Sequence, residues 1–224
     1  MDKSDVQETL VLLYLRLNGY FSTGFIVHAP NWNKTELDVL AIRFPRHKEP
    51  EREVQCSEFL AVPRERIDFL IGEIKGGSDN INFNVRFRKD TASIRTVLNR
   101  FGAFEEHEIE NLCGQLPDLL EPERVRRTAG FPTIPLRDGL CQLRLVLFAA
   151  EQQRNGSRPR PYVFEDDILT FVWTCFRPEQ RRAQCDTHYN YELWGPQFVE
   201  IVQYFKKAEK RPESIKELYA LYSL

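Results

Sequence analysis

The feature that most constrains the fold is the segment 141–150, a long and mainly apolar stretch that no Gly or Pro interrupts. Such a stretch is typical of a strand that is buried on both faces of its sheet. A strand of that kind is stable only when other layers of secondary structure cover each face. The segment therefore predicts an α/β fold, in which a mixed central sheet is flanked by helices.

The rest of the chain predicts the order helix, three strands, helix, strand and then further C-terminal helices. The first helix begins at Ser4, whose spacing from Gln7 fits a capping box, and ends at Asn18. The three strands are 25–27, 36–44 and 67–75. The later helices are 91–101, 105–120, 196–207 and 214–222, whereas 164–176 fits either a helix or a strand.

The composition limits the class of protein. The 224 residues are 42% hydrophobic, which suits one domain at 1–224, with its core at about 4–150 and a C-terminal extension at about 151–224. The 31 Lys and Arg residues nearly balance the 33 Asp and Glu residues, and this excludes a globally basic nucleic-acid binder and a disordered chain. No apolar stretch reaches the ~18–20 residues that span a membrane, and the chain does not start with a signal-peptide pattern. We therefore expect a cytoplasmic protein with no membrane partner.

Neither the cysteines nor the histidines form a recognisable site. The five cysteines are widely spaced without a C-x-x-C pair, which favours reduced thiols over disulfides or structural zinc. The four histidines form no H-x-H or H-E-x-x-H pattern, and the phosphate-binding motif G-x-x-x-x-G-K-S/T is absent from the sequence. The candidate site therefore consists of other charged residues.

Three charged residues stand out on the predicted strands, namely Asp38, Glu73 and Lys75. Side chains two residues apart share a face of a strand, so Glu73 and Lys75 continue the face of Ile71 up to Gly76, where the strand ends. If the second and third strands are antiparallel neighbours, Asp38 approaches both of them. Two carboxylates and an ammonium group suit the hydrolysis of a phosphodiester with Mg²⁺ or Mn²⁺, since the metal polarises the phosphoryl oxygen and the lysine orients water.

These residues resemble the PD-(D/E)xK nuclease superfamily, also called restriction-endonuclease-like. The matching stretches are Thr35-Glu-Leu-Asp38-Val-Leu-Ala41 and Ile71-Gly-Glu73-Ile-Lys75-Gly-Gly77. The predicted α-β-β-β-α-β order also matches the core of that superfamily, over about residues 4–150. The resemblance implies a metal-dependent nuclease that acts on DNA rather than RNA, in restriction, repair, recombination or phage defence.

The resemblance also assigns roles to individual residues. Lys75 would position the attacking water or stabilise the transition state, and with Asp38 and Glu73 it forms the catalytic set. The sequence has Leu37 where the name of the superfamily expects Pro. The metal ligands that the resemblance implies are Asp38, Glu73, the backbone carbonyl of Ile74, Glu8 and Glu36.

A run of basic residues follows the third strand and predicts contact with nucleic-acid phosphates. It consists of Arg86, Arg88, Lys89, Arg95 and Arg100. A solvated helix face is the alternative interpretation of this run.

A second class of function also stays open, namely a catalytically inactive scaffold of the same fold that binds nucleic acid or a protein partner. The two classes differ in metal dependence, because only the nuclease needs Asp38 and Glu73 to bind Mn²⁺. A homodimer is compatible with either class.

Overall fold

The computed structural model describes residues 1–28, 34–45, 54–63, 65–77, 81–127, 130–153, 162–177 and 191–224. The strands in these residues are β1 Phe21–His28, β2 Lys34–Arg43, β3 Ile67–Lys75, β4 Thr133–Leu136, β5 Cys141–Ala149 and β6 Tyr162–Phe164. The α-helices are α1 Lys3–Leu17, α2 Val85–Lys89, α3 Thr91–Phe101, α4 Glu106–Leu119, α5 Pro122–Arg127, α6 Glu165–Phe176, α7 Pro196–Lys207 and α8 Lys216–Tyr219. Among the described helices, none is long and apolar enough to cross a membrane.

The strands form one mixed sheet in the order β1-β2-β3-β5-β4. An antiparallel meander joins β1, β2 and β3, and β5 lies parallel to β3 along its whole length. The short strands β4 and β6 pair with opposite ends of β5. A mixed sheet flanked by helices is the fold class that the sequence predicts.

A helical layer covers each face of this sheet. On one face, α1, α6 and α7 pack against side chains that include Leu70 and Phe148. On the other face, α3 and α4 pack against side chains that include Ile71 and Leu145. β5 is buried at every position, as its apolar sequence predicts, because helices lie on both of its sides.

The start of α1 differs from the prediction. The capping box is formed by Asp2 and Asp5, each of which accepts the backbone N–H of the other, at 2.7 and 3.0 Å. The predicted box of Ser4 and Gln7 is therefore wrong. Gln7 is buried instead and donates a hydrogen bond to the Tyr219 hydroxyl at 2.7 Å, so its amide is used in a tertiary contact.

The ambiguous segment 164–176 belongs almost entirely to a helix. A short strand, β6, ends at Phe164, and α6 begins at Glu165. The Asp167 carboxylate accepts the Phe164 backbone N–H at 3.0 Å, and acidic residues suit the positive end of a helix. The prediction missed α2, α5, β4 and β6, because elements of six residues or fewer carry little periodicity.

A buried polar cluster lies at the start of β3. Asp68 is fully buried and accepts hydrogen bonds from Arg144 Nη2 at 2.6 Å, from Gln142 Nε2 at 2.8 Å and from the Tyr20 hydroxyl at 2.5 Å. Burial raises the pKa of Tyr20, so its hydroxyl remains a donor. Because both carboxylate oxygens are satisfied, this ion pair joins β3 to β5 and to the start of β1 without leaving a buried charge uncompensated.

Candidate active site

The candidate site lies at the end of β3, where β3 leaves its pairing with β2. The antiparallel ladder between these strands continues only to Val39, which lies opposite Gly72. On the other edge of β2, residues 37–40 oppose only residues 23–25 of β1, so β2 carries one extra residue in a β-bulge next to Asp38. A bulge interrupts the ladder locally and redirects a side chain. Asp38 thereby lies within the irregular part of the β1–β2 ladder.

Beyond Val39 the ladder between β2 and β3 ends, and the Asp38 carboxylate makes the next contact with β3. Its Oδ2 accepts the backbone N–H of Ile74 at 2.6 Å. The N–H and C=O of one strand residue point to the same side, so the Ile74 carbonyl also faces β2. Asp38 and the backbone of Ile74 are thus together at the end of β3.

Glu73 is buried beside Asp38. It is 1% exposed, and its Oε1 lies 2.6 Å from Lys75 Nζ. Its Oε2 is buried and has no hydrogen-bond partner among the residues that the structure describes. A buried carboxylate oxygen without a partner loses its hydration and gains nothing in exchange. This oxygen is therefore the atom of the site that a bound cation would satisfy.

The electrostatics of the pair also favour a cation. Burial, followed by the negative charge of Asp38, raises the pKa of Glu73 to about 7, although Lys75 acts in the opposite direction. Two carboxylates that share one strand end repel each other, and a divalent cation between them would remove that repulsion. Burial and the neighbouring charge thus both disfavour the charged form of Glu73 in the protein without a cation.

The oxygen atoms at this strand end are those that hard cations prefer. Mg²⁺ is held by one or two carboxylates together with waters and substrate phosphate oxygens, and the carboxylates of Asp38 and Glu73 fit that description. In the part of the chain that the structure describes, no group of three or more His, Cys, Asp and Glu side chains is arranged to hold a metal. Further ligands would therefore come from the Ile74 carbonyl, from water or from a phosphate.

The two remaining acids of the predicted set are not brought into this cluster. Glu8 lies on α1, half-buried, and accepts a hydrogen bond from the Ser4 hydroxyl at 3.3 Å. It does not form a three-carboxylate group with Asp38 and Glu73 among the described residues. The side chain of Glu36 lies outside the described residues, although its backbone belongs to β2.

Three of the five basic residues predicted to contact nucleic acid lie on α2, and two of these three have exposed side chains. Arg86 and Lys89 are exposed. The residue before α2 is Asn84, whose backbone N–H lies near enough to the Glu73 carboxylate to lower its pKa, although it makes no hydrogen bond to Oε2. This proximity places the start of α2 beside the carboxylate pair.

Arg88 on α2 and the two remaining basic residues on α3 differ in their contacts within the chain. Arg88 donates from Nε to the Phe83 carbonyl at 2.9 Å, and Arg95 forms an ion pair with Glu106. Both therefore have a structural role in the described chain. Arg100 is exposed near the end of α3, at the opposite end of that helix from α2.

A polar corner that the sequence reasoning missed lies just beyond Lys75. Gln7 donates to the Tyr219 hydroxyl at 2.7 Å and approaches Glu151 Oε2 at 3.4 Å. A Cβ at Gly76 would lie 3.1 Å from the Gln7 amide nitrogen, so a side chain there would displace Gln7. A glycine at the end of a strand can mark a place where another part of the chain comes close to the backbone, as well as the end of the strand. Gly76 was therefore the sequence signal for this corner.

Comparison with family models, with curated proteins and with solved structures finds no match for this chain. A fold by itself does not fix a function, so the functional argument depends on the chemistry of the site. That chemistry consists of a buried carboxylate pair, one ammonium group and exposed cations nearby.

Proposed function

We propose that this protein is a metal-dependent nuclease of the PD-(D/E)xK type, with a restriction-endonuclease-like topology, that hydrolyses phosphodiester bonds in DNA. One observation carries the proposal. The Glu73 carboxylate is buried with an unsatisfied oxygen, beside a second carboxylate and a lysine, at the end of a central strand. A chain that had no use for this arrangement would lose stability by keeping it.

The order of the elements supports the same proposal. A helix, α1, precedes a meander of three strands, and helices then lead through the short strand β4 to β5, which lies parallel to β3. With β4 as an addition, this order is compatible with the α-β-β-β-α-β order that the sequence resemblance implies. The two carboxylates also occupy the strand positions that the resemblance assigns to acids.

The chain's own residues have distinct parts in such a reaction. Asp38, Glu73 and the Ile74 carbonyl would hold Mg²⁺ or Mn²⁺. When bound there, such a metal would supply polarisation of the phosphoryl oxygen and a lower pKa for its bound water. Lys75 is half-buried, and its ammonium would turn from Glu73 towards the attacking water or the charge that develops on phosphate. Attack by water breaks one P–O bond and yields a phosphate monoester and a free hydroxyl group.

The test is cleavage of single- and double-stranded DNA and RNA by the purified chain in Mn²⁺, Mg²⁺ or EDTA. Glu73→Gln and Lys75→Met remove one member each of the buried ion pair. Lys210→Met is the matched control, because Lys210 forms an exposed ion pair with Glu213 at 3.5 Å. We expect metal-dependent cleavage of DNA by the parent chain and by the control, and its loss in the two site variants.

The outcomes separate the two classes of function. Absence of cleavage together with absence of Mn²⁺ binding by calorimetry would overturn the nuclease proposal and leave the non-catalytic scaffold. Mn²⁺ binding that Glu73→Gln abolishes, without cleavage of any substrate, would support the metal site and contradict a nuclease that acts unaided. Cleavage of RNA alone would keep the mechanism and correct the substrate.

A further inference from the structure

A hollow of about 200 Å³ lies between the edge of the sheet and the end of α3. It is lined by residues 21–23 of β1, by Leu40 and Ile42 of β2, and by Arg100 and Phe101 of α3. The Phe101 ring packs edge-on against Phe69 of β3, with ring centroids 5.3 Å apart. The hollow therefore has an apolar floor that is anchored in the core.

One exposed aromatic ring, that of Phe21, lines this hollow, and a second, that of Phe44, packs against it. Phe21 is 65% exposed and Phe44 is 52% exposed, and their ring centroids lie 5.9 Å apart at an angle of 69°. Large aromatic side chains that remain in water side by side are a sign of a binding surface, because burying them would be favourable. Their exposure shows that the described residues leave both rings largely uncovered.

The hollow lies on the same face of the sheet as the buried carboxylate. Glu73 shares its face of β3 with Phe69 and Ile71, and these two lie opposite Ile42 and Leu40 on β2. Phe69 and Glu73 are four residues apart, which is about 13 Å along a strand. That length corresponds to about four nucleotides of a stacked strand at ~3.4 Å each.

The charge around the hollow suits an anionic ligand. Arg100 is exposed at its rim, and no acidic residue belongs to the part of its lining that the structure describes. Arg86 and Lys89 are exposed on α2, the helix that begins beside the carboxylate pair. A nucleic-acid strand that runs from the carboxylates to the hollow would therefore meet positive charge at both ends of its path.

We propose that this hollow binds an unstacked nucleobase of the substrate strand, with the base against Phe21 and the adjoining phosphate at Arg100. The proposal rests on the proposed nuclease function and deepens it, because it names the substrate as single-stranded or locally unpaired nucleic acid. A base inside an intact duplex offers no free face to an aromatic ring, whereas an unpaired base does. Stacking on aromatic rings together with Arg is how proteins hold single strands without reading their sequence.

A second copy of the chain fits the hollow less well. A stable dimer buries about 800 Å² on each partner, which is much more than two phenyl rings and a shallow hollow provide. Such a contact would also remove the Arg100 guanidinium from water. The described features therefore favour a small planar ligand that carries negative charge.

The experiment measures binding of a fluorescein-labelled single-stranded DNA oligonucleotide, and of its duplex, to the full chain in EDTA by fluorescence anisotropy. The variants are Phe21→Ala, Phe21→Trp and Arg100→Gln. Leu193→Ala is the matched control, since Leu193 is 82% exposed and belongs to a turn that packs on α7 across the sheet. Phe21 is mostly exposed, so its removal should not affect folding.

We expect Phe21→Ala to raise the Kd for the single strand at least fivefold and to leave the Kd for the duplex nearly unchanged. Phe21→Trp should retain binding and show quenching of its added fluorescence on a stacked base. Arg100→Gln should weaken binding and reduce the salt dependence by about one counterion. Leu193→Ala should match the parent chain.

Two results would overturn the inference. One is a Phe21→Ala variant that binds the single strand as tightly as the parent does. The other is a dimer, seen by light scattering, that dissociates in this variant, since the hollow would then be a contact between copies. Failure of the nuclease proposal can be distinguished from failure of this inference, because binding in EDTA needs no cleavage. If only the nuclease proposal fails, the parent chain binds single strands through Phe21 and does not cut them.

Discussion

Replacement of Glu73 by Gln should stabilise the metal-free protein at neutral and alkaline pH. The pKa of Glu73 rises from 4.5 to about 7 on folding, because burial and Asp38 both disfavour the carboxylate. The folded state therefore binds a proton more tightly than the unfolded state does. As pH rises through this interval the folded state loses stability relative to the unfolded state, and above pH 7 the loss is complete.

The size of the effect follows from the shift of this pKa. One pKa unit corresponds to 1.36 kcal/mol, so the full shift lowers the free energy of unfolding by about 3 kcal/mol at pH 8. Gln has nearly the shape of Glu and no charge, so its amide avoids that loss. At pH 5 most of the effect is absent, because the folded carboxyl is then protonated.

Urea denaturation of both proteins in EDTA, at several pH values between 5 and 8, measures this difference. Glu121→Gln is the control, because Glu121 is exposed and its replacement should change stability by less than about 0.5 kcal/mol. Addition of Mn²⁺ should stabilise the parent chain and leave Glu73→Gln unchanged, since a ligand stabilises only the state that binds it. Two results would refute the placement of a buried carboxylate beside a second charge. One is a Glu73→Gln variant that is no more stable than the parent at pH 8. The other is a difference in the free energy of unfolding that does not change with pH.

Four further predictions concern the site, the core and one exposed helix position. Lys75→Met should lower the rate of DNA cleavage by about a hundredfold or more. Its Mn²⁺ affinity, measured by calorimetry, should stay unchanged or become tighter, because Lys75 forms an ion pair with a Glu73 oxygen and is not a metal ligand. A loss of Mn²⁺ affinity together with the loss of cleavage would contradict this role of Lys75. Arg144→Ala should reduce the free energy of unfolding, measured in urea, by about 3–5 kcal/mol, because it leaves the buried Asp68 carboxylate without its cationic partner. A loss below about 1 kcal/mol would mean that water reaches this cluster. Gly72→Val should cost about 1–3 kcal/mol, since its Cβ would lie 3.0 Å from two core side chains. Gly114→Ala, in an open position of α4, should instead stabilise by about 0.5–1 kcal/mol.

The longer elements could be predicted because their sequence pattern and their end signals agree. β3 ends where Gly76 follows Lys75, and its observed bounds are those of the apolar pattern. α3 begins after Asp90, whose carboxylate accepts the backbone N–H groups of two residues in the first turn, and ends at Gly102 in the left-handed conformation. These signals are local, so one sequence contains them.

The details of the site could not be predicted, because they depend on other parts of the chain. The bulge next to Asp38 becomes visible only when β2 is counted against its neighbour β1. The unsatisfied oxygen of Glu73 depends on the helices and strands that bury it. Gln7 looked like part of a helix cap, and its contact with Tyr219 joins residues 212 positions apart.

The ion pair at the start of β3 has a consequence for the geometry at the other end of that strand. Both faces of β3 and β5 are apolar and buried, so hydrophobic burial alone distinguishes poorly between alternative alignments of these two parallel strands. A slip by one residue would move Arg144 away from Asp68 and leave two isolated charges in the interior. The pair therefore fixes the alignment of β3 within the sheet. About 17 Å further along the same strand, that alignment determines where the Glu73 carboxylate lies relative to Asp38.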